Sequence, residues 1–239
     1  MVITDGFPFM KSGFLMKGLT KDVDVSEDGH GMVNYEVSLV RKNMRVSSIE
    51  HVIGGDESLP ADVRLGSLKT AKEVLDKGGI HQLFHGYSFT LESFPPNRKK
   101  LIWCELPPQK GIRRFEIDIQ RTCGGAKELN YGYGWSAPKM FGKPTSKGEF
   151  SSWMFIRHPV EVLTLRISFP KGYHLKMGPK ILMYDINGNE CSSQGKSKYE
   201  MPCDSINDLR LIQCFGKYYQ VRIYNPRLGF TFKTVWKLR

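Results

Sequence analysis

The sequence lacks the marks of the common catalytic and membrane classes. It contains no GxSxG, no glycine-rich phosphate loop of the P-loop or dinucleotide type, and no CxxC. The first absence removes the nucleophile elbow, and the second removes the backbone cradle that nucleotide phosphates use. No apolar run approaches the ~18 residues of a membrane span. The opening MVITDGFPFMKSGF lacks a basic segment followed by an unbroken apolar one, so no secretory signal is read there. Cysteine is sparse: Cys104, Cys123, Cys191, Cys203 and Cys214. An odd number, with two inside strand-like runs, fits buried free thiols in a reducing compartment better than a disulfide framework. A soluble, cytoplasmic protein is the expectation.

Acidic residues are also in deficit. Thirty-five Lys and Arg against 24 Asp and Glu leave a formal net charge of +11 over 239 residues. Such a surface attracts nucleic acid, acidic lipid head groups or an acidic protein face. Hydrophobic residues make up 40% and aromatics 12% of the chain. That is enough to bury a core, so disorder is not the default.

What is present is period-two alternation. Val33–Leu39, Phe115–Gln120, Leu163–Ser168 and Tyr219–Ile223 each alternate apolar and polar residues. Successive strand side chains point to opposite faces, so each run buries one face and wets the other. Further strands are expected at Met44–Ile53, Tyr87–Leu91, Lys100–Glu105, Trp153–Arg157, Lys180–Ile186 and Leu209–Phe215. The closing strand puts Phe230, Phe232, Thr234, Trp236 and Leu238 on one parity and Thr231, Lys233, Val235 and Lys237 on the other. It reads as aromatic on one face and basic on the other.

Turn chemistry separates these runs. Asn187-Gly188 and Gly216-Lys217 predict hairpins, and Pro107-Pro108, Pro170 and Pro226 are expected to end strands. Glycines and prolines crowd Tyr131 to Gly148, which reads as a long loop. One helix is expected over 67–77, with Ser67 as N-cap, an apolar stripe of Leu68, Ala71, Val74 and Leu75, and Gly78-Gly79 as its end. The fold class is therefore all-β, an antiparallel β-sandwich with one decorating helix. Either residues 1–108 and 109–239 supply halves of one large sandwich, or each forms a small one.

Candidate chemistry is thin. His81-Gln82-Leu83-Phe84-His85 resembles HExxH, but glutamine stands where the base must be. On a strand the two histidines would lie ~13 Å apart, too far to share an ion, so no metal site is read. Asp185 to Glu190 has calcium-loop ingredients with the glycine misplaced, and a hairpin explains it better. No cofactor is implied.

Basic and aromatic residues are more suggestive. Tyr131, Tyr133 and Trp135, followed by Lys139 and Lys143, form the candidate partner-binding set, because aromatics beside cations can stack and neutralise. A nucleic-acid alternative uses Arg98, Lys99, Lys100, Arg113, Arg114, Arg222, Lys233 and Lys237. The last three occupy polar parities and would share one sheet surface if their strands pair.

The order of features carries a resemblance. Asp28-Gly29-His30-Gly31 leads into an alternating strand, followed by Trp103–Pro107, a strand from Arg113, the tyrosine-glycine stretch and Trp153–Pro159. Leu163–Pro170 and Asn225-Pro226-Arg227-Leu228-Gly229-Phe230 with Trp236 complete it. This resembles the C-terminal β-sandwich modules of some bacterial multidomain signalling and conflict (defence) proteins. The resemblance implies a non-enzymatic sensing or docking part and carries no catalytic residue. Its expected partner is a protein, such as a separately encoded effector, or a stress-associated ligand.

Overall fold

The computed structural model describes residues 13–43, 45, 47–53, 88–93, 101–109, 112–137, 141, 148–185, 188–191, 212–214 and 218–238. The expected helix at 67–77, His81, His85, Arg98, Lys99, Lys100, Lys139 and Lys143 lie outside these residues. Within them the fold is all-β. The strands are β1 (Phe14–Val25), β2 (Gly31–Arg41), β3 (Ser48–Ile53), β4 (Ser88–Ser93), β5 (Trp103–Gln109) and β6 (Ile112–Asp118). After the short helix α1 (Ile119–Cys123) come β7 (Glu128–Ala137), β8 (Phe150–Phe155), β9 (Val160–Ser168) and β10 (Leu175–Tyr184). The remainder are β11 (Glu190–Cys191), β12 (Ile212–Cys214), β13 (Tyr218–Tyr224) and β14 (Thr231–Leu238).

They form a seven-stranded sheet in the order β12-β13-β9-β1-β2-β7-β4, a four-stranded sheet β11-β10-β14-β8 and a three-stranded sheet β3-β6-β5. Pairing is antiparallel except between β1 and β9. Strands from before and after residue 108 share the large sheet, so a division there does not separate two sheets.

Alternation explains the core. One inward row of the large sheet runs Ile223, Leu163, Leu19, Val37, Tyr131, and the next runs Val221, Leu165, Lys21, Tyr35, Tyr133. All ten are buried. The two smaller sheets form the layer opposite. Phe115 of β6 meets Tyr133 at 5.1 Å between ring centroids, and the Lys21 ammonium donates to the Trp153 carbonyl of β8. Trp236 of β14 is wholly buried among Phe141, Phe150 and Phe169.

Several expectations need correction. Tyr131 to Ala137 is not loop but part of β7, paired with β2 on one side and β4 on the other. One of its glycines answers a steric demand. A Cβ on Gly134 would collide with Asn34 Oδ1 and sit 2.9 Å from the Val33 carbonyl oxygen. Leu129, Tyr131, Tyr133 and Trp135 thus alternate like any other strand, with glycine on the reverse face. The run Phe115–Gln120 stops being strand at Asp118. The Asp118 carboxylate accepts from the Arg121 amide at 2.7 Å and caps α1, the usual work of an N-cap aspartate. Pro107 and Pro108 lie within β5 rather than ending it. Among the described strands β5 pairs with β6 alone, through a register shift between Leu106 and Gln109. An edge strand tolerates residues without an N–H. Cys104, expected to be buried, is exposed on that edge.

Candidate functional site: the outer face of the four-stranded sheet

Two places gather chemistry-bearing side chains. The first is internal, where the three sheets meet. His51 of β3 is buried, and its Nε2 shares a 2.5 Å hydrogen bond with the Tyr131 hydroxyl of β7. His158, between β8 and β9, donates from Nε2 to the Glu50 carbonyl at 3.3 Å. The two imidazole centroids are 6.3 Å apart. Burial, reinforced by His158 and Arg157, pushes the His51 imidazole well below its usual range. Burial also takes His158 down to about 4, with the Glu50 carbonyl opposing and Arg157 adding to the shift. The Tyr131 phenol is driven up by burial. Desolvation of this kind disfavours each charged form, so both imidazoles are neutral near pH 7. The adjoining cavity, about 30 Å³, is lined by Tyr35, Glu50, His51, Tyr133, Arg157 and His158 among others. That holds a water or two; small-molecule sites run to roughly 300 Å³ and more. The cluster joins the three sheets.

The second place faces outward. On the four-stranded sheet Phe150, Met154, Phe232, Trp236, Ile181 and Met183 turn to the core. The opposite parity carries Ser151, Trp153 and Phe155 on β8, Thr231, Lys233, Val235 and Lys237 on β14, and Lys180, Leu182 and Tyr184 on β10. Register sets Lys233 between Trp153 and Leu182, and Thr231 between Phe155 and Tyr184. Trp153 of β8 and Tyr184 of β10 bring their ring centroids to 5.6 Å across β14, and Thr231 on the same parity is buried. The Lys233 ammonium lies 4.4 Å from the Trp153 ring centroid, within cation–π range. Lys237 lies 3.4 Å from Glu149, and Lys176 and Lys180 are exposed. Trp153, Phe155, Leu182, Tyr184, Lys233 and Lys237 are half-buried. The result is a half-buried aromatic patch bordered by cations, with Val235 of the same parity wholly buried.

The residues singled out from sequence are scattered by this arrangement. Tyr131, Tyr133 and Trp135 are 0%, 7% and 7% exposed and face the core. Arg113 and Arg114 stand on β6, in register with Ile53 and Val52 of β3. Arg222 is exposed on β13 of the seven-stranded sheet, whereas Lys233 and Lys237 lie on the four-stranded one. Those three therefore do not share a surface, because β13 pairs with β9 and β12 and not with β14. Sequence reasoning misses Trp153, Tyr184 and Lys180. The signal for them is the odd parity of β8, Ser151-Trp153-Phe155, aligned against a basic parity of β14.

The Asp185 turn is a hairpin. The Asp185 carboxylate accepts from the backbone and side-chain nitrogens of Asn189 at 2.9 and 3.0 Å, and Gly188 takes the left-handed φ of 81°. β10 and β11 pair antiparallel across it. No group of three or more His, Cys, Asp or Glu among the described residues is placed to hold one metal ion. No described helix is long and apolar enough to cross a membrane.

The fold defines a class, the all-β layered sandwich. No family model matches the sequence, and no curated protein does. Solved structures offer a distant likeness. A candidate protease from Parabacteroides distasonis aligns with TM-score 0.39 and 10% identity, over 94% of this chain and 40% of that one. Native yeast LTA4 hydrolase aligns with TM-score 0.45 and 8% identity, over 93% and 29% of the two chains. The same yeast enzyme in complex with bestatin gives 0.41 and 7%, over 93% and 28%. This chain thus spans less than half the length of each, and a likeness of this strength carries no argument about activity.

Proposed function

We propose that this chain is a non-enzymatic recognition module that receives an anionic ligand on the outer face of its four-stranded sheet. The observation that carries the reading is the Trp153–Tyr184 pair with Lys233 stacked on Trp153 and with Lys180 and Lys237 further along the same face. A cation held against a ring is already oriented, so little side-chain entropy is lost when a ligand displaces water from that face. His51, His158 and Tyr131, by contrast, are engaged in the joint between sheets. In the setting that the sequence resembles, this face is where a sensor of a bacterial signalling or defence system meets its ligand or a separately encoded effector.

The test is capture from host extract with wild-type protein and with the charge-reversed pair Lys180→Glu and Lys233→Glu. Whatever co-purifies with wild type is expected to drop at least tenfold with the reversed pair, and to persist with Arg222→Glu on the other sheet. Undiminished capture by the reversed pair, at an unchanged thermal midpoint, would remove the face from the account.

A further inference from the structure

We infer that the ligand of this face is single-stranded nucleic acid. The inference rests on the recognition reading above and adds the chemistry of the ligand. Three kinds of polyanion meet a basic surface, and they differ in what else they bring. An acidic peptide offers carboxylates with few flat rings, so the lysines would be used and Trp153 and Tyr184 wasted. A duplex offers phosphates but keeps its base faces inside the stack. A single strand presents a phosphate and an unstacked base at every nucleotide.

The surface is divided in the same way. Toward one end of the sheet the register places Phe155, Thr231 and Tyr184 in a row, with Trp153 beside them. Toward the other end lie Lys180 beside Val235, and Lys237 beside Met177. Lys180 is exposed on that face. Lys171, His174 and Lys176 are exposed at the start of β10 and in the connection before it. Bases on the aromatic end and phosphates along the lysines would satisfy both halves with one polymer. The formal charge of +11 supplies the long-range attraction.

Counterion release makes the prediction quantitative. Three phosphate contacts, from Lys180, Lys233 and, on release from Glu149, Lys237, give a slope of log affinity against log salt of about −2 for a single strand. Losing one lysine flattens that slope by about 0.7. Losing one stacking aromatic weakens binding roughly tenfold to a hundredfold.

The experiment is fluorescence anisotropy of the whole chain with fluorescein-labelled mixed-sequence DNA and RNA strands of about 15 nucleotides, from about 50 to 200 mM salt, the range over which such contacts tell. The duplex of the same sequence and polyglutamate are the comparison probes. Either single strand is expected to bind with the steep slope, and the duplex and polyglutamate at least tenfold more weakly. Trp153→Leu is expected to weaken single-strand binding at least tenfold and Lys180→Gln to flatten the slope. Arg222→Gln should change neither. Thermal midpoints of all variants report folding separately. Absent or salt-insensitive single-strand binding would overturn the inference, as would equal binding of polyglutamate or duplex, or indifference to both Trp153→Leu and Lys180→Gln. Nuclease treatment of the host extract separates the two claims. Face-dependent capture that survives nuclease refutes the nucleic-acid ligand and leaves the recognition surface standing. Capture that ignores the face refutes the surface itself.

Discussion

Replacing Trp236 with alanine is expected to cost about 3–5 kcal/mol of folding stability, the range for truncating a buried aromatic. A domain has only about 5–15 kcal/mol in total, so the variant should be close to unfolding at room temperature. The residue stands on β14 at 0% exposure, and its ring lies 5.2–6.0 Å from those of Phe141, Phe150 and Phe169. Phe150 belongs to the neighbouring strand β8, and Phe169 follows β9 of the opposite sheet. One side chain thus seals the two layers together, and alanine would leave a cavity between them. Trp236→Phe is expected to be mild, because the indole N–H is buried with no acceptor and phenylalanine removes that orphan donor. Urea midpoints of the three proteins decide it. An alanine variant within about 1 kcal/mol of wild type would mean that Trp236 is not in the core.

Acid should loosen the joint between the sheets. His158 has a folded-state pKa of about 4, against a usual 6.5. Between those values the unfolded chain binds the proton and the folded chain does not. Stability from this group is therefore complete above about pH 6.5, falls as the pH drops, and is lost by about pH 4. A shift of that size is worth about 3 kcal/mol. His51, shifted the same way by burial, His158 and Arg157, adds loss in the same direction. Asp22 acts oppositely, because burial and Asp24 raise its carboxyl despite Arg166. The comparison is therefore between wild type and His158→Leu. The variant is expected to be about 1 kcal/mol less stable at pH 7, having lost the bond to the Glu50 carbonyl. It should also lose less stability between pH 6.5 and 4 than wild type. Parallel curves for the two proteins would show that His158 is not held neutral in the joint.

Period two makes the fold class legible, and its failures are instructive. Val33–Leu39, Leu163–Ser168 and Tyr219–Ile223 fall within β2, β9 and β13, because one face of each meets the opposite layer. Alternation sorts side chains within a strand but does not say which strand lies beside which. The parallel contact of β1 with β9 and the separation of β13 from β14 are decided by long-range packing, and the expected basic face shared by Arg222 and Lys233 fails there. The β7 aromatics read as loop because Gly132 and Gly134 carry turn chemistry, whereas a Cβ at Gly134 would press on the Val33 carbonyl oxygen and the Asn34 side chain across the strand pair. On β14 the polar parity is not uniformly wet. Val235 is 0% exposed and Thr231 6%. A basic parity in one strand becomes a candidate surface only when β8 and β10 lay their rings and lysines beside it.

The four tryptophans provide the most direct test of that surface, since each indole N–H gives its own signal in a nitrogen-15 correlation spectrum. Trp153 lies on the outer face, Trp103 on the β5 edge, and Trp135 and Trp236 in the core. On titration with a single-stranded 15-nucleotide probe, the Trp153 signal is predicted to shift or broaden first and most, while Trp103, Trp135 and Trp236 stay in place. A Trp153 signal that stays fixed while the Trp103 or Trp135 signal moves would contradict the account.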